Sequence, residues 1–436
     1  MHSFPRRALL TLALGLASAA PCLAQAATPV FVISDLHYLA PALRDDGKAF
    51  RDTVMSGDGK DTGRMDALLD ALERELPRPS ILLVTGDLSL NGEEESHRAL
   101  ARRFEALGGS GVRVFVIPGN HDLENPWAIR FSGSRRLRTP SVSAERFREL
   151  YARSGYAAAD SVDPSSLSYY ATIDGGRAVL MIDSTISDDN MERGSPTAAG
   201  RLSASTLRWI DERLAEAARR GVRVIVGMHH SLGVHNAFLS EGYTLRNADE
   251  LAAVLARRGQ RFILSGHIHI QSVARVETTA GTVIDIATNA LSVYPNSYGR
   301  VDIDAGTGEA GYVSRRVDVE GWARAAGVED EYLRRFASAS ESYFGGFARR
   351  LIGDFGADDG LGPREAGLIG DFMAELNCGF FAGSIDVAER DRLRSSAGYA
   401  ALAGLEGGFL SSYISSILDR PGVDMRTVTV DPRDGK

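Results

Sequence analysis

The sequence predicts an α/β protein that contains a parallel sheet and is followed by a helical C-terminal domain. Three observations predict this fold class. Short apolar runs alternate with helical patterns over residues 30–117, as in a parallel sheet with helices on its faces. Several apolar runs end in aspartate, asparagine or histidine. Past about residue 319, strand-like runs give way to helical spacing.

The first three strands and the two helices between them follow from local patterns. Strands are predicted at 30–34, 81–85 and 112–117, where nearly every residue is apolar. Residues 64–76 and 94–107 carry apolar side chains at helical spacing, and prolines end the first of these helices. These five elements predict parallel strands joined by crossover helices.

The later part of the chain repeats this order and then becomes antiparallel. A helix at 207–220 precedes a strand at 222–227, and a helix at 249–258 precedes a strand at 261–265. Residues 273–287 alternate as paired strands do. Further antiparallel strands are predicted at 169–173, 178–182, 301–303 and 311–314.

Residues 1–26 are predicted to be an export signal. Arg6 and Arg7 precede an apolar run, and Ala24 and Ala26 supply the small residues of a cleavage site. The run is too short for a stable membrane span. The paired arginines are also compatible with a twin-arginine signal. We therefore expect an exported protein, either periplasmic or secreted.

The remaining chain divides into two predicted domains and a tail. The α/β domain covers 27–318, and the looser pattern at 124–168 within it is expected to be an insertion near the functional site. A separate helical domain is expected at 319–420. Residues 421–436 are expected to be a frayed tail.

Composition narrows the class of protein. Hydrophobic residues make up 44% of the chain and charged residues 24%, which is typical of a soluble globular protein. The formal charge of −8, or −10 after loss of Arg6 and Arg7, argues against a nucleic-acid polymer as partner.

After the signal the chain has one cysteine, Cys378, so no internal disulfide forms. Nearly all basic residues are arginine. The lysines are Lys48, Lys60 and Lys436.

Polar residues that follow the predicted strands are the candidates for chemistry. They are Asp35, His37, Asp87, Asn120, His121, His229, His267 and His269. The carboxyl ends of neighbouring parallel strands share one edge. The residues expected to converge there are Asp35, His37, Asp87 and Asn120. Carboxylate and amide oxygens together with imidazoles suit ions such as Mn, Fe or Zn. The number of ligands indicates two ions.

The motifs occur in a recognisable order. They are Asp35-x-His37, Gly86-Asp87, Gly119-Asn120-His121-Asp122, His229 and Gly266-His267-x-His269, over about residues 30–290. This series resembles the calcineurin-like metallophosphoesterase superfamily. The neighbouring Tyr38-Leu39 and Asn125-Pro126 are similar to secreted bacterial members regarded as cyclic-nucleotide phosphodiesterases. The resemblance implies a four-layer α/β/β/α sandwich with the helical domain added to it.

The resemblance also implies a set of metal ligands. One ion would be held by Asp35, His37, Asp87 and His269, and the other by Asp87, Asn120, His229 and His267. Two such ions can share a hydroxide, lower its pKa and hold phosphoryl oxygens during in-line attack. His229 is preferred over His230 because the family's ligand follows the strand directly. His230 is expected to support a ligand or contact the substrate.

Two further residues have implied roles in catalysis. His121 is not a ligand in the family and is expected to protonate the leaving oxygen or stabilise phosphoryl charge. Asp122 is expected to orient the His121 imidazole through a hydrogen bond. His97 and His235 are predicted to be surface residues.

Three functional hypotheses follow. The first is hydrolysis of phosphodiester bonds in a small substrate, either a cyclic nucleotide or a glycerophosphodiester. The second is a phosphomonoesterase or nucleotidase, which would use the same metal core. The third is a non-enzymatic scaffold, which is disfavoured because such proteins lose ligands or the acid histidine, and all are present here. The sequence leaves the oligomeric state open.

Overall fold

The computed structural model describes residues 28–45, 47–55, 59–304, 306–358, 362–402, 408–433 and 435, so the predicted signal lies outside the described residues. The strands are β1 (Val30–Ile33), β2 (Ser80–Thr85), β3 (Val112–Ile117), β4 (Ile129–Ser132), β5 (Arg135–Arg138), β6 (Ser161–Val162), β7 (Tyr169–Asp174), β8 (Arg177–Ile182), β9 (Arg223–Met228), β10 (Phe262–Ser265), β11 (Ser272–Thr278), β12 (Gly281–Ala287), β13 (Ser297–Ile303), β14 (Ala310–Arg316) and β15 (Thr427–Val430).

The helices are α1 (Lys48–Phe50), α2 (Met65–Glu75), α3 (Glu94–Gly109), α4 (Ala144–Leu150), α5 (Asn190–Arg193), α6 (Ala204–Arg219), α7 (Ala248–Arg257), α8 (Val319–Ala326), α9 (Glu331–Arg334), α10 (Phe336–Asp358), α11 (Pro363–Phe381), α12 (Val387–Arg394), α13 (Ala397–Ala401) and α14 (Phe409–Leu418). Among the described residues, no helix has both the length and the hydropathy needed to cross a membrane.

Two sheets form the centre of the molecule. The first has the order β15-β14-β13-β1-β2-β3, and the second has the order β11-β12-β10-β9-β8-β7-β6. The strands β1, β2 and β3 are parallel, as predicted, and so are β8, β9, β10 and β12. Strands such as β2 and β8 are buried along their whole length because both faces of each sheet are covered.

Helices cover the outer faces of the two sheets. Leu68 of α2 and Phe104 of α3 belong to one buried cluster with β1, β2 and β3. Ile210 of α6 and Leu255 of α7 belong to another with β8 and β9. Helix α6 begins where the Ser203 side chain accepts the N–H of Thr206, and its apolar stripe faces the sheet. The four-layer α/β/β/α arrangement is confirmed.

The segment 124–168 has more regular secondary structure than an inserted loop. It contains the β4–β5 hairpin, helix α4 and the edge strand β6. Phe147 and Tyr151 of this segment are fully buried in the main core. A bridge between Leu123 and Val142 attaches it to the loop that follows β3, and a bridge between Glu93 and Ser141 attaches it to the loop between β2 and α3.

The helical C-terminal region is present, as predicted, but it shares its core with the α/β domain. Ile369 and Leu376 of α11 belong to one buried cluster with Ile268 and Ile270 from the loop after β10. Phe336 of α10 belongs to the main core. The apolar faces of the predicted helical domain, residues 319–420, therefore pack partly against the α/β domain.

The prediction of a frayed tail is wrong for residues 427–430. They form β15, which pairs antiparallel with β14 at the edge of the first sheet. Val430 is 2% exposed and belongs to the main core. A four-residue strand carries little local signal, and its order depends on pairing with a partner more than 100 residues earlier in the chain.

Replacing Val430 by alanine should lower the free energy of unfolding by about 1–3 kcal/mol, because buried methyl groups are lost and a cavity remains. Chemical denaturation of the mature protein measures the change. Thr429→Ala, at an exposed position of the same strand, is the matched control and should have a much smaller effect. Equal stability of the Val430 variant and the wild type would contradict an ordered β15.

Candidate metal centre

Loops after the parallel strands of the first sheet meet at one edge and are tied by backbone hydrogen bonds. The N–H of Asp35 donates to the carbonyl of Gly86, and the N–H of His37 donates to the carbonyl of Asp87, both at 3.0 Å. The N–H of His121 donates to Asp87 Oδ1 at 2.8 Å. The predicted convergence of these strand ends is confirmed.

Further hydrogen bonds bring the second sheet to the same place. Asp35 Oδ2 accepts the N–H of His267 at 3.0 Å. The N–H of Gly266 donates to the carbonyl of His229 at 3.0 Å. His229 Nδ1 lies 2.8 Å from the carbonyl of Thr85 in β2, so this nitrogen donates across the two sheets. The side chains from five loops therefore face one site.

Glycines in two motifs allow this close approach. A Cβ at Gly119 would collide with the backbone nitrogen and a carboxylate oxygen of Asp87. A Cβ at Gly266 would collide with the side chains of Ser34 and Asp35. The glycine that precedes each motif is thus required by the space between the loops.

The predicted ligands have an unusual backbone conformation. Five of them, Asp35, His37, Asp87, His267 and His269, have positive φ values between 44° and 68°. Residues other than glycine rarely adopt this conformation, which costs roughly 1 kcal/mol or more for each residue. Hydrogen bonds between the loops hold the strained residues in place, and such clustered strain is typical of a functional site.

Four side chains form the first group of potential ligands. Their atoms lie within 4.8 Å of one another, and the group consists of Asp35, His37, Asp87 and His269. His269 Nε2 is 3.1 Å from His37 Nε2 and 3.3 Å from Asp35 Oδ1. Ligand atoms about 2.0–2.2 Å from one ion lie roughly 3 Å or slightly more from each other, so these side chains fit a metal ion.

A second group shares Asp87 with the first. It consists of Asp87, His229 and His267. His229 Nε2 lies 3.5 Å from Asp87 Oδ1 and 3.1 Å from Asn120 Oδ1, so the Asn120 amide oxygen extends this group. His267 Nε2 contacts the carbonyl of Gly242 at 3.0 Å, which leaves Nδ1 to bind an ion. Together the two groups fit a pair of ions bridged by Asp87.

One buried carboxylate oxygen supports this fit. Asp35 Oδ1 is shielded from solvent and has no hydrogen-bond partner among the residues that the structure describes. An unsatisfied buried carboxylate oxygen is costly, whereas a bound cation would satisfy it. Oxygen and nitrogen donors in this mixture suit Mn, Fe or Zn.

The electrostatics of the groups favour metal binding. Burial, followed by the positive charge of Lys60, holds the pKa of His37 well below its usual value. Burial and the charge of His229 lower the pKa of His267 to about 3. Neutral imidazole is the form that binds metal ions. Burial raises the pKa of Asp87, and the charges of Asp35 and Asp122 raise it further, so a cation would stabilise its ionised form.

The expected hydrogen bond between Asp122 and the His121 imidazole is replaced by other contacts. His121 Nδ1 lies 2.7 Å from the carbonyl of Leu90, so a backbone group orients the ring. The Asp122 carboxylate instead accepts the backbone N–H groups of Gly119, Leu88 and Ser89 at 2.8–3.0 Å. The predicted role of Asp122 is therefore wrong. Its carboxylate is fully buried and supports the loops that carry the ligands.

The structure separates the two adjacent histidines. His229 lies in the second group, whereas His230 uses both ring nitrogens elsewhere. They lie 2.8 Å from Ser184 Oγ and 2.9 Å from the carbonyl of Ala198. The His230 ring packs against His267, with 4.5 Å between centroids. His230 therefore supports a neighbouring ligand, one of the two expectations for it.

The two histidines predicted to be on the surface are buried. His97 lies 3.0 Å from both Ser89 Oγ and the hydroxyl of Tyr151. His235 lies 3.0 Å from a carboxylate oxygen of Asp285. Both predictions are wrong because the covering partners come from distant segments. The backbone carbonyls that orient the imidazoles are not predicted by the sequence, since every residue has a carbonyl group.

Fold and site together define a metal-dependent phosphoester hydrolase. Residues 28–271 match the family model described as calcineurin-like phosphoesterase, and residues 318–421 match the model described as the C-terminal domain of cyclic nucleotide phosphodiesterase. The chain belongs to the calcineurin-like phosphoesterase family. Its metal centre has the donor groups for two ions.

Solved structures with detectable similarity are distant. A dimetal phosphatase from Danio rerio is 13% identical, with a TM-score of 0.44, over 67% of this chain and 97% of that one. Purple acid phosphatase PPD1 from yellow lupin is 12% identical, with a TM-score of 0.42, over 67% and 52%. The 5′-nucleotidase precursor from Thermus thermophilus is 14% identical, with a TM-score of 0.36, over 66% and 54%. No curated protein sequence matches this chain.

Replacing Asp87 by asparagine should remove most bound metal, because this carboxylate belongs to both groups of ligands. Metal analysis of the reconstituted protein is the measurement, and hydrolysis should fall to background. His121→Gln is the matched control and should retain its metal. Two ions in the Asp87 variant would disprove a bridging position.

Proposed function

We propose that the protein hydrolyses phosphodiester bonds in a small substrate, either a cyclic nucleotide or a glycerophosphodiester. The observation that carries this proposal is the match of residues 318–421 to the C-terminal domain of cyclic nucleotide phosphodiesterase. This region packs against the site, since Ile268, between two predicted ligands, shares a buried cluster with Ile369 and Leu376. The helical region can therefore shape the space for a second ester substituent.

The proposed ligand sets are those that the family resemblance implies. The first ion would be bound by Asp35, His37, Asp87 and His269, and the second by Asp87, Asn120, His229 and His267. When bound, the two ions would lower the pKa of water and neutralise charge on the phosphoryl group. Mn, Fe and Zn are the proposed ions because the ligands combine carboxylate, amide and imidazole groups.

We assign proton transfer to His121. Its ring meets His37 edge to face, with 4.9 Å between centroids, so it lies beside the first group of ligands. Nδ1 donates to the carbonyl of Leu90, which leaves Nε2 to exchange a proton. Burial, followed by the charge of Lys60, lowers the pKa of His121 to about 4. A bound anionic substrate would favour the protonated ring, which then donates to the leaving oxygen.

The mature protein, reconstituted in parallel with Mn, Fe and Zn, should cleave bis(p-nitrophenyl) phosphate faster than p-nitrophenyl phosphate. Steady-state rates provide the comparison, and cyclic nucleotides are the next substrates. His121→Gln should keep its metals and lose most turnover, by roughly 100-fold or more. A preference for the monoester would assign a phosphatase or nucleotidase instead. Inactivity with two bound ions would support a scaffold.

We also propose that the protein is exported. Support comes from the sequence of residues 1–26, with paired arginines, an apolar run and a small-residue cleavage site. Expression of the full chain in a bacterial host should yield periplasmic or secreted protein that begins near residue 27. Mass spectrometry of its N-terminus is the measurement. An intact N-terminus on cytoplasmic protein would contradict export.

A further inference from the structure

Lys60 lies on a segment that is connected to the first metal-binding loop through residues 292 and 293. Its backbone forms a bridge with Val293, and the N–H of the next residue, Asp61, donates to the carbonyl of Ser292 at 2.5 Å. The Ser292 hydroxyl in turn donates to the carbonyl of Asp35 at 2.7 Å. The position of Lys60 is therefore connected to a predicted ligand through a short series of backbone contacts.

The charge of Lys60 acts on the centre of the site. After burial, Lys60 is the largest cause of the lowered pKa of both His37 and His121. Burial raises the pKa of Asp87, and Lys60 opposes that change. The positive charge of Lys60 therefore acts on these three side chains, in agreement with the contacts that connect its segment, through Ser292, to the loop that carries Asp35.

A lysine at this position is unusual for this chain. Of its 49 basic residues, three are lysines. Lys48 forms an exposed ion pair with Asp52, four residues later. Lys60 is only partly exposed, and its segment is connected through Ser292 to the loop that carries Asp35. An ammonium group is a compact charge with three rotatable donors, which suits a phosphoryl oxygen in a crowded site.

The helical region also contacts the segment that carries Lys60. Asp61 is 1% exposed and accepts hydrogen bonds from the Tyr332 hydroxyl at 3.1 Å and the Ser340 hydroxyl at 2.8 Å. Gly59 lies against Phe344 of α10, and a Cβ at this glycine would press on that ring. The segment on either side of Lys60 is therefore packed against α9 and α10.

We propose that Lys60 binds a phosphoryl oxygen of the substrate, and that the helical region positions it through Asp61. The inference rests on the proposed function, since it assigns a contact to the same anionic substrate. A charge-assisted hydrogen bond from Lys60 would stabilise the negative charge of the phosphoryl group next to the ions. Lys60 is thus a substrate-binding residue, and Tyr332 and Ser340 are positioning residues.

Replacing Lys60 by methionine tests the contact, because the variant keeps an unbranched side chain and loses the charge. We expect the KM for a cleaved ester and the Kd for inorganic phosphate to rise roughly tenfold or more. Metal content and Tm should remain those of the wild type. Lys60→Arg should recover part of the affinity. Lys48→Met is the matched control and should leave both constants unchanged.

Phosphate binding to the metal-loaded protein separates this inference from the proposed function. Calorimetric titration with inorganic phosphate needs no knowledge of the natural substrate. Equal phosphate affinity in the wild type and Lys60→Met would overturn the inference even if diesters are cleaved. Lys60-dependent phosphate binding by a protein that cleaves no diester would support the inference and reject the proposed diesterase activity.

A double-mutant cycle tests the role of the helical region. Tyr332→Phe and Ser340→Ala each remove a hydrogen bond to Asp61 and should raise the Kd for phosphate by about threefold. In the Lys60→Met background, the same changes should have no further effect on this constant. Equal effects in both backgrounds would show that these residues do not act through Lys60.

Discussion

The carboxylate of Asp35 joins the two sheets at the metal centre. Its Oδ2 accepts the N–H of His267, and its Oδ1 lies 3.3 Å from His269 Nε2. One side chain therefore fixes a loop of the second sheet and also contributes to the first group of ligands. This dual use explains how residues more than 200 positions apart reach a common site without a covalent link. The positive φ values of these loops are tolerated because the contacts between the sheets restrain them.

Buried carboxylates also hold the other loops in place. Asp122 gathers backbone N–H groups from the loops after β2 and β3. Asp285 in β12 accepts the N–H groups of Leu232 and Gly233 and the hydroxyl of Ser265. A buried carboxylate that accepts several hydrogen bonds is well satisfied and resists displacement. The ligands can thus be rigid although they lie on loops, which is the condition for preorganised catalysis.

The helical region completes the α/β domain. It packs against Ile268 and Ile270, which flank the predicted ligand His269, and the hydroxyl groups of Tyr332 and Ser340 donate to Asp61. The helical region therefore contacts both a loop that carries predicted ligands and the segment next to Lys60. Its conformation would therefore influence His267 and His269, on either side of Ile268, and under the proposal above the approach of an anionic substrate.

Local sequence patterns predict the alternation of strands and helices and nearly all of the candidate ligands. Apolar periodicity and strand-end motifs such as Asp35-x-His37 are local features, so they can be recognised without a structure. The fold was needed to assign each parallel strand to one of the two sheets. It was also needed to find the pairing of β15, the burial of His97 and the partners of Asp122. These features arise from contacts between distant segments. A carboxylate such as Asp122 has many possible donors in the chain, and packing of the whole core selects among them.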